Sequence, residues 1–304
     1  MLAVLLLAIL GISLAAPLVR LSHADPLAIA AWRLFFSLII IAGFLLPRRG
    51  WRQWRRLDAR GAALAIGAGV MLALHFWSWN ASVALTTVAA STLLVNTQPV
   101  IVALVSAAWL HEAPRPRQWL GIIVAVTGAA VVAWGDAGAG GGSGTAGAHA
   151  LLGDALALAG GVAAALYYLA GRRLRQVLDL WPYVGLVYGA CFVTLLAIAG
   201  VLHVPLVPQP PRELAIFAGL AVGPMLLGHT GMNWALRYLP AYVVNLTVLG
   251  EPVGATVLAA LLPGIREVPP AATFAGGTLV LAGILLALSR ATINTESTAA
   301  SDAV

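Results

Sequence analysis

Long apolar stretches, broken at near-regular intervals by short polar or Gly/Pro segments, run through the whole chain. A hydrocarbon layer about 30 Å thick takes about 20 apolar residues to cross as a helix. That spacing predicts ten segments, at residues 2–21, 26–46, 61–80, 86–109, 117–134, 150–170, 181–202, 212–235, 240–262 and 269–289. The expected fold class is an all-α integral membrane protein with ten transmembrane helices. The first segment has a leucine-rich core followed by the small residues Ser13, Ala15 and Ala16, as a secretory signal would. No basic residue precedes that core, so the segment is predicted to stay as a spanning helix.

Composition agrees and narrows the function. Of the 304 residues 61% are hydrophobic and 9% charged, with a mean hydropathy of +0.94, whereas a water-soluble domain carries about 25% charged residues. All 17 basic residues are arginine. With no lysine to reach a nucleotide's phosphates or to form a Schiff base, an ATP-driven pump within this one chain is excluded. A single cysteine, Cys191, rules out an internal disulfide framework and a Cys-only metal site. No cofactor is expected.

Charge also orients the segments. The loops after the second, fourth, sixth and eighth segments, with the tail, hold 13 arginines, and the opposite loops hold three, Arg20, Arg212 and Arg266. Cytoplasmic loops are the basic ones, so both termini are predicted to face the cytoplasm of a bacterial inner membrane. The basic run beside Trp51 and Trp54 is expected to anchor at lipid headgroups, with no nucleic-acid partner.

The chain repeats itself. The stretch from Asn80 recurs from Asn233, and Gln98-Pro99 falls on Glu251-Pro252 at an offset of 153; two extra residues near Pro263-Gly264 then place Glu112, Pro114, Gly121 and Gly128 on Glu267, Pro269, Gly276 and Gly283. Five helices per half is an odd number, so the second half enters from the opposite face. This predicts inverted repeats, the architecture of alternating-access carriers with a site near the midplane. The expected organisation is 1–134 and 150–289 as repeats, 135–149 as a flexible Gly-rich linker, and 290–304 as a disordered cytoplasmic tail. Within the linker, Gly142–Gly147 fits a dinucleotide fingerprint and Gly141–Gly144 a rhomboid-type serine motif, but neither has the strand or helix context its chemistry needs.

Several polar residues fall inside these segments. Pro99 and Pro252 cannot donate to the carbonyls of Val95 and Val248, so they are expected to break the fourth and ninth helices and expose backbone polarity at the midplane, which is tolerated only against protein or a wet cavity. Asn96, Gln98, Asn245 and Glu251 cluster around these breaks as candidate substrate-binding residues. Glu251 is the one acid placed near the centre of a span and a candidate proton carrier; Gln98, which cannot titrate, holds the equivalent place. His75 and His229 lie one position out of register under the repeat, as satisfied core histidines or as cavity lining. Trp79 and Tyr168 lie far enough inside to stack on a flat substrate, as do Trp77, Tyr167 and Trp234. Arg33, about two turns into the second helix, either clamps a carboxylate or serves structure, and the structural role is the expectation. No third ligand accompanies the histidines, so no metal is expected.

These features resemble the EamA-type transporters of the drug/metabolite transporter superfamily. The resemblance rests on Ala84-Leu85, Pro99, His111-Glu112, Gly121 and Gly128 in one half, on Ala235-Leu236, Glu251-Pro252, Glu267, Gly276 and Gly283 in the other, and on Pro26 and Arg33. Arg266 stands where that family usually has glycine. Within it the chain is most similar to the YddG-type aromatic amino acid exporters. The resemblance implies a monomeric secondary transporter exporting amino acids or similar small metabolites. A multidrug or cation exporter is the alternative, against which the first helix lacks the central glutamate such exporters use. A membrane-embedded enzyme is the other alternative. Asp25, Asp136 and Asp154 all sit at helix ends, and no nucleophile and base pair forms by spacing.

Overall fold

The computed structural model describes residues 1–85, 91, 94–110, 114–138, 148–262 and 271–288. Most of the linker (139–147), the tail from 289, and the segments holding His111-Glu112 and Arg266-Glu267 therefore lie outside the described residues. Every regular element among those described is helical. In order they are α1 (Leu2–Ser13), α2 (Ala15–Leu21), α3 (Pro26–Leu45), a 3-10 helix (Gly50–Arg56), α4 (Ala59–Leu85), α5 (Gln98–Val105), α6 (Pro116–Gly138), α7 (Ala148–Val177), α8 (Leu180–Val201), α9 (Pro211–Leu220), α10 (Gly231–Ala235), α11 (Ala241–Thr247), α12 (Glu251–Leu261) and α13 (Ala271–Leu288). Six continuous rods are long and apolar enough to cross a bilayer: Leu2–Leu21, Pro26–Leu45, Ala59–Leu85, Leu152–Val177, Leu180–Val201 and Pro211–Ala235.

The polarity is that of a protein dissolved in lipid. Leu6, Leu10, Ile39, Val193 and Leu285 point outward at 40% exposure or more, an apolar surface water would not tolerate on this scale. Arg33, Tyr167, Tyr168, Tyr183 and Tyr188 are sealed inside at 1% or less. Local chemistry starts and stops the rods where the pattern changes. Asp25 caps α3 by accepting from Leu27 N at 2.8 Å, with Pro26 supplying the preset φ of the first turn. Arg49 takes the left-handed conformation (φ 49°) that turns the chain from α3 into the arginine-rich 3-10 helix.

Close helix approach is bought with small residues. A β-carbon added at Gly128 of α6 would lie 2.6 Å from Gly276 O and Val280 N of α13, and one at Gly283 of α13 would lie 2.6 Å from Gly121 O and Ala125 N of α6. The two helices thus touch backbone to backbone at two points. Gly69 of α4 meets Val187 and Ala190 of α8 in the same way, and Gly11 of α1 meets the segment after α9.

Several stretches depart from regular α-helix, among them a π-helical turn at Ser106–Leu110. Ala221–Thr230 is π-helical and contains Pro224. A turn at Asn96–Thr97 precedes α5, and a 3-10 turn, Val248–Gly250, separates α11 from α12. Pro99 and Pro252 thus each sit in the first turn of a new helix, where a missing N–H costs nothing. One expectation is corrected here: the Val248 carbonyl is not left free, because the tightened turn gives it the Glu251 N–H.

Candidate functional site

The helix breaks, the π segment and the long rods α3, α4 and α7 converge on a central cavity with an empty volume of about 400 Å³. Six of the eight predicted substrate residues line it: His75 and Trp79 from α4, Gln98 from α5, Tyr168 from α7, His229 from the π segment and Glu251 from α12. Ile12, Ala15 and Val248 contribute apolar wall. Asn96 and Asn245 do not line the cavity, though both are buried at 2% or less. They lie on helical turns beside it, and those turns rotate their side chains into the bundle.

The two histidines meet. Their ring centroids are 6.2 Å apart at 65°, and Phe76 stands edge-on to His229 at 5.2 Å. His75 Nδ1 donates to Gly160 O at 3.0 Å, so its proton sits on Nδ1 and Nε2 is left as an acceptor. Tyr168 stacks on His229 at 15° with its hydroxyl 3.5 Å from Nδ1. Behind this layer runs a buried polar network absent from the sequence expectations. Tyr188 OH pairs with Thr230 Oγ1 at 3.1 Å, Thr230 donates to Met225 O, and Asn233 Nδ2 donates to the hydroxyls of Tyr188 and Tyr167. It satisfies the carbonyl and hydroxyl groups that the π segment would otherwise strand.

Arg33 is the cavity residue that the sequence expectation assigned to structure. It is 1% exposed, lines the cavity, lies 4.0 Å over the Phe76 ring and donates only to Met225 Sδ, at 3.8 Å. Its Nε has no hydrogen-bond partner, and neither do Trp79 Nε1 and Gln98 Oε1 on the same lining. Glu251, 6% exposed, also lines the cavity without a hydrogen bond or ion pair to another described residue. No group of three or more His, Cys, Asp or Glu suited to a metal occurs among the described residues. Of the other inner aromatics, Trp77 packs in the core, Trp234 meets Tyr238 at a 51° tilt with ring centroids 4.9 Å apart, and Tyr167 belongs to the buried network.

Polar ties close both ends of the bundle. At the arginine-rich end, Asp179 accepts from Gln53 Nε2 and from Arg237 Nη1, each at 2.7 Å. Those two contacts, the Gln53 amide first and the Arg237 guanidinium second, hold its carboxyl below the ordinary carboxylate range. Beside it Arg175 donates to Asn233 O at 3.0 Å and to Leu178 O, and Trp54 Nε1 donates to Pro182 O at 2.9 Å. At the other end Glu213, paired with Arg212 at 3.0 Å, accepts from Ser22 Oγ and His23 N, while Arg212 also reaches Leu21 O.

Comparison with known proteins places this arrangement. The model of the EamA-like transporter family matches the chain twice, over residues 1–134 and 151–289. A solved structure titled only as the crystal structure of a protein superposes with a TM-score of 0.75, covering 95% of this chain and 96% of its own; at 20% identity it speaks to the fold alone. No curated protein matches the chain, so no named relative stands behind the narrower likeness to YddG-type exporters.

Proposed function

Because the chain belongs to the EamA-like transporter family, we propose that it is a secondary transporter that exports amino acids, aromatic and other neutral ones, or similar small metabolites across the bacterial inner membrane. The observation that carries this reading is the central cavity. Both family-matched stretches contribute to it, Arg33, His75, Trp79 and Gln98 from one and Tyr168, His229 and Glu251 from the other. Carriers built from inverted repeats hold their site at that kind of junction, on interrupted helices.

Ten spans in two inverted five-helix repeats, 1–134 and 150–289, are part of the same proposal. Two features support it: the helix breaks at Gln98-Pro99 and Glu251-Pro252, and the reciprocal glycine contacts between α6 and α13. Alternating access then amounts to releasing the polar ties at one end of the bundle while those at the other hold. The arginine-rich end, with both termini, is assigned to the cytoplasm, and the protein acts as a monomer. The multidrug or cation reading is disfavoured by Arg33, whose fixed charge in the cavity repels a cationic guest.

Uptake of a radiolabelled amino acid panel into proteoliposomes preloaded with the same unlabelled compound tests the proposal. Saturable exchange of at least one amino acid is expected. Binding without translocation, or chemical conversion of the substrate, would overturn it.

A further inference from the structure

The cavity holds one cation and one anion that attract each other across it without forming a contact ion pair. Arg33 and Glu251 both line it, yet among the described residues the contact ion pairs join Arg212 to Glu213 and Arg237 to Asp179. Removing two charges from water is costly, and mutual contact with good hydrogen bonds is the usual way that cost is offset. Here the cost is borne and the offset is absent. Arg33 has five N–H donors, of which one meets a sulfur and the Nε meets nothing. Phe76 beneath it screens one face of the guanidinium and leaves the rim of donors for another partner. Glu251 begins α12 just after the 3-10 turn, so the helix break fixes where its side chain enters the cavity.

The unpaired neutral atoms sort the same way. Trp79 Nε1 is a donor, 4% exposed as a residue, and Gln98 Oε1 an acceptor, 3% exposed. The cavity therefore offers a donor set, Arg33 and Trp79, and an acceptor set, Glu251 and Gln98, in one chamber. Resting on the transporter reading above, we infer that this chamber selects zwitterions: the substrate's carboxylate is held by Arg33 and Trp79 Nε1 and its ammonium by Glu251 and Gln98 Oε1, so that a guest carrying one charge only is rejected. A carboxylate without an ammonium leaves Glu251 buried and unpaired beside new negative charge. An amine without a carboxylate leaves Arg33 so. Losing one member of a desolvated charge pair weakens binding by about 100-fold or more.

The test uses the purified full chain in proteoliposomes and three probes sharing one ring: L-phenylalanine, phenethylamine, which lacks the carboxylate, and phenylpyruvate, which lacks the ammonium. Intrinsic tryptophan fluorescence reads binding and counterflow reads transport. For the parent, L-phenylalanine is expected to bind about 100-fold more tightly than either analogue. The variants are expected to switch reciprocally, Arg33→Gln losing L-phenylalanine and gaining relative preference for phenethylamine, and Glu251→Gln gaining relative preference for phenylpyruvate. A residue that merely supports the fold would lower all three probes together, and that outcome overturns the inference. So does a parent protein that exchanges L-phenylalanine and either analogue equally, which would leave the transporter reading standing. A parent that binds and moves none of the three overturns the inference, and overturns the transporter reading too if the amino acid panel also shows no exchange. If Arg33→Gln fails to elute as a single species, the parent's discrimination among the probes and the Glu251→Gln switch still decide.

Discussion

A single methyl group added at Gly128 or Gly283 tests the crossing of α6 and α13. The new β-carbon would lie 2.6 Å from two backbone atoms of the opposite helix in each case. Non-bonded carbon needs about 3.5 Å, so the shortfall is roughly 0.9 Å, and because the obstructing atoms are backbone no rotamer relieves it. The helices must part. Overpacking of this kind costs about 1–3 kcal/mol, less about 0.5–1 kcal/mol gained when alanine replaces glycine in a helix. On the scale of about 2–4 °C per kcal/mol for chains near this size, Gly128→Ala and Gly283→Ala are each expected to lower the apparent Tm by up to about 10 °C. Gly43→Ala and Gly189→Ala, which meet nothing within 4 Å, are expected to leave it level or raise it slightly. The double variant should lose less than the sum, since helices already parted accommodate the second methyl. Detergent-solubilised protein heated in steps and resolved by size exclusion gives the melting point directly. Seam variants that melt with the Gly43 and Gly189 controls would refute the tight crossing.

The remaining expectations follow from the cavity and the two ends. In proteoliposomes, a pH gradient should drive accumulation by the parent but not by Glu251→Gln if Glu251 carries the proton, each compared with its own exchange rate; an unchanged gradient response would remove it from coupling. Gln98→Leu should lower transport at least tenfold at normal membrane abundance, whereas Asn245→Leu, off the cavity, should act on abundance first; normal flux through Gln98→Leu would break the assignment of the cavity. In a Cys191→Ser background, a cysteine at His203 should react with an impermeant maleimide in intact cells and one at Arg49 only after permeabilisation, both sites being exposed; the reverse pattern would invert the topology. Asp179→Asn should cost at most about 1 kcal/mol, because the Asp179 and Arg237 side chains are 57% and 40% exposed. Since its carboxyl is held low, what it contributes is present at neutral pH and is lost only as pH falls through that lowered value; a Tm falling between pH 8 and pH 6 on its account would contradict the contact geometry.

Hydropathy located four of the six rods among the described residues to within a residue, because lipid imposes length on every crossing, while Ala59–Leu85 and Leu152–Val177 run five and seven residues past the ends expected at 80 and 170. The rods at Pro26–Leu45, Leu180–Val201 and Pro211–Ala235 each end within a residue of the segments expected at 26–46, 181–202 and 212–235. What hydropathy cannot give is rotation about a helix axis. Arg33 has the same depth whether it faces headgroups or cavity, and packing of α3 on its neighbours decides the matter. The same ignorance applies to Asn96 and Asn245, close in sequence to the helix breaks but not on the lining of the chamber. Irregular backbone was harder still: nothing in Ala221–Thr230 announces π-helical spacing except Pro224.

Asn233 has a place in the hydrogen bonding that no other described residue shares. Its side chain holds the tyrosine hydroxyls behind His229, and its carbonyl takes the Nε of Arg175 at the arginine-rich rim. Chamber and rim are thus not remote stations joined by a long relay; they are two faces of one residue. Displacing the tyrosine hydroxyls behind the chamber and loosening the rim around Arg175 therefore both disturb Asn233, and a substitution there is expected to reach both.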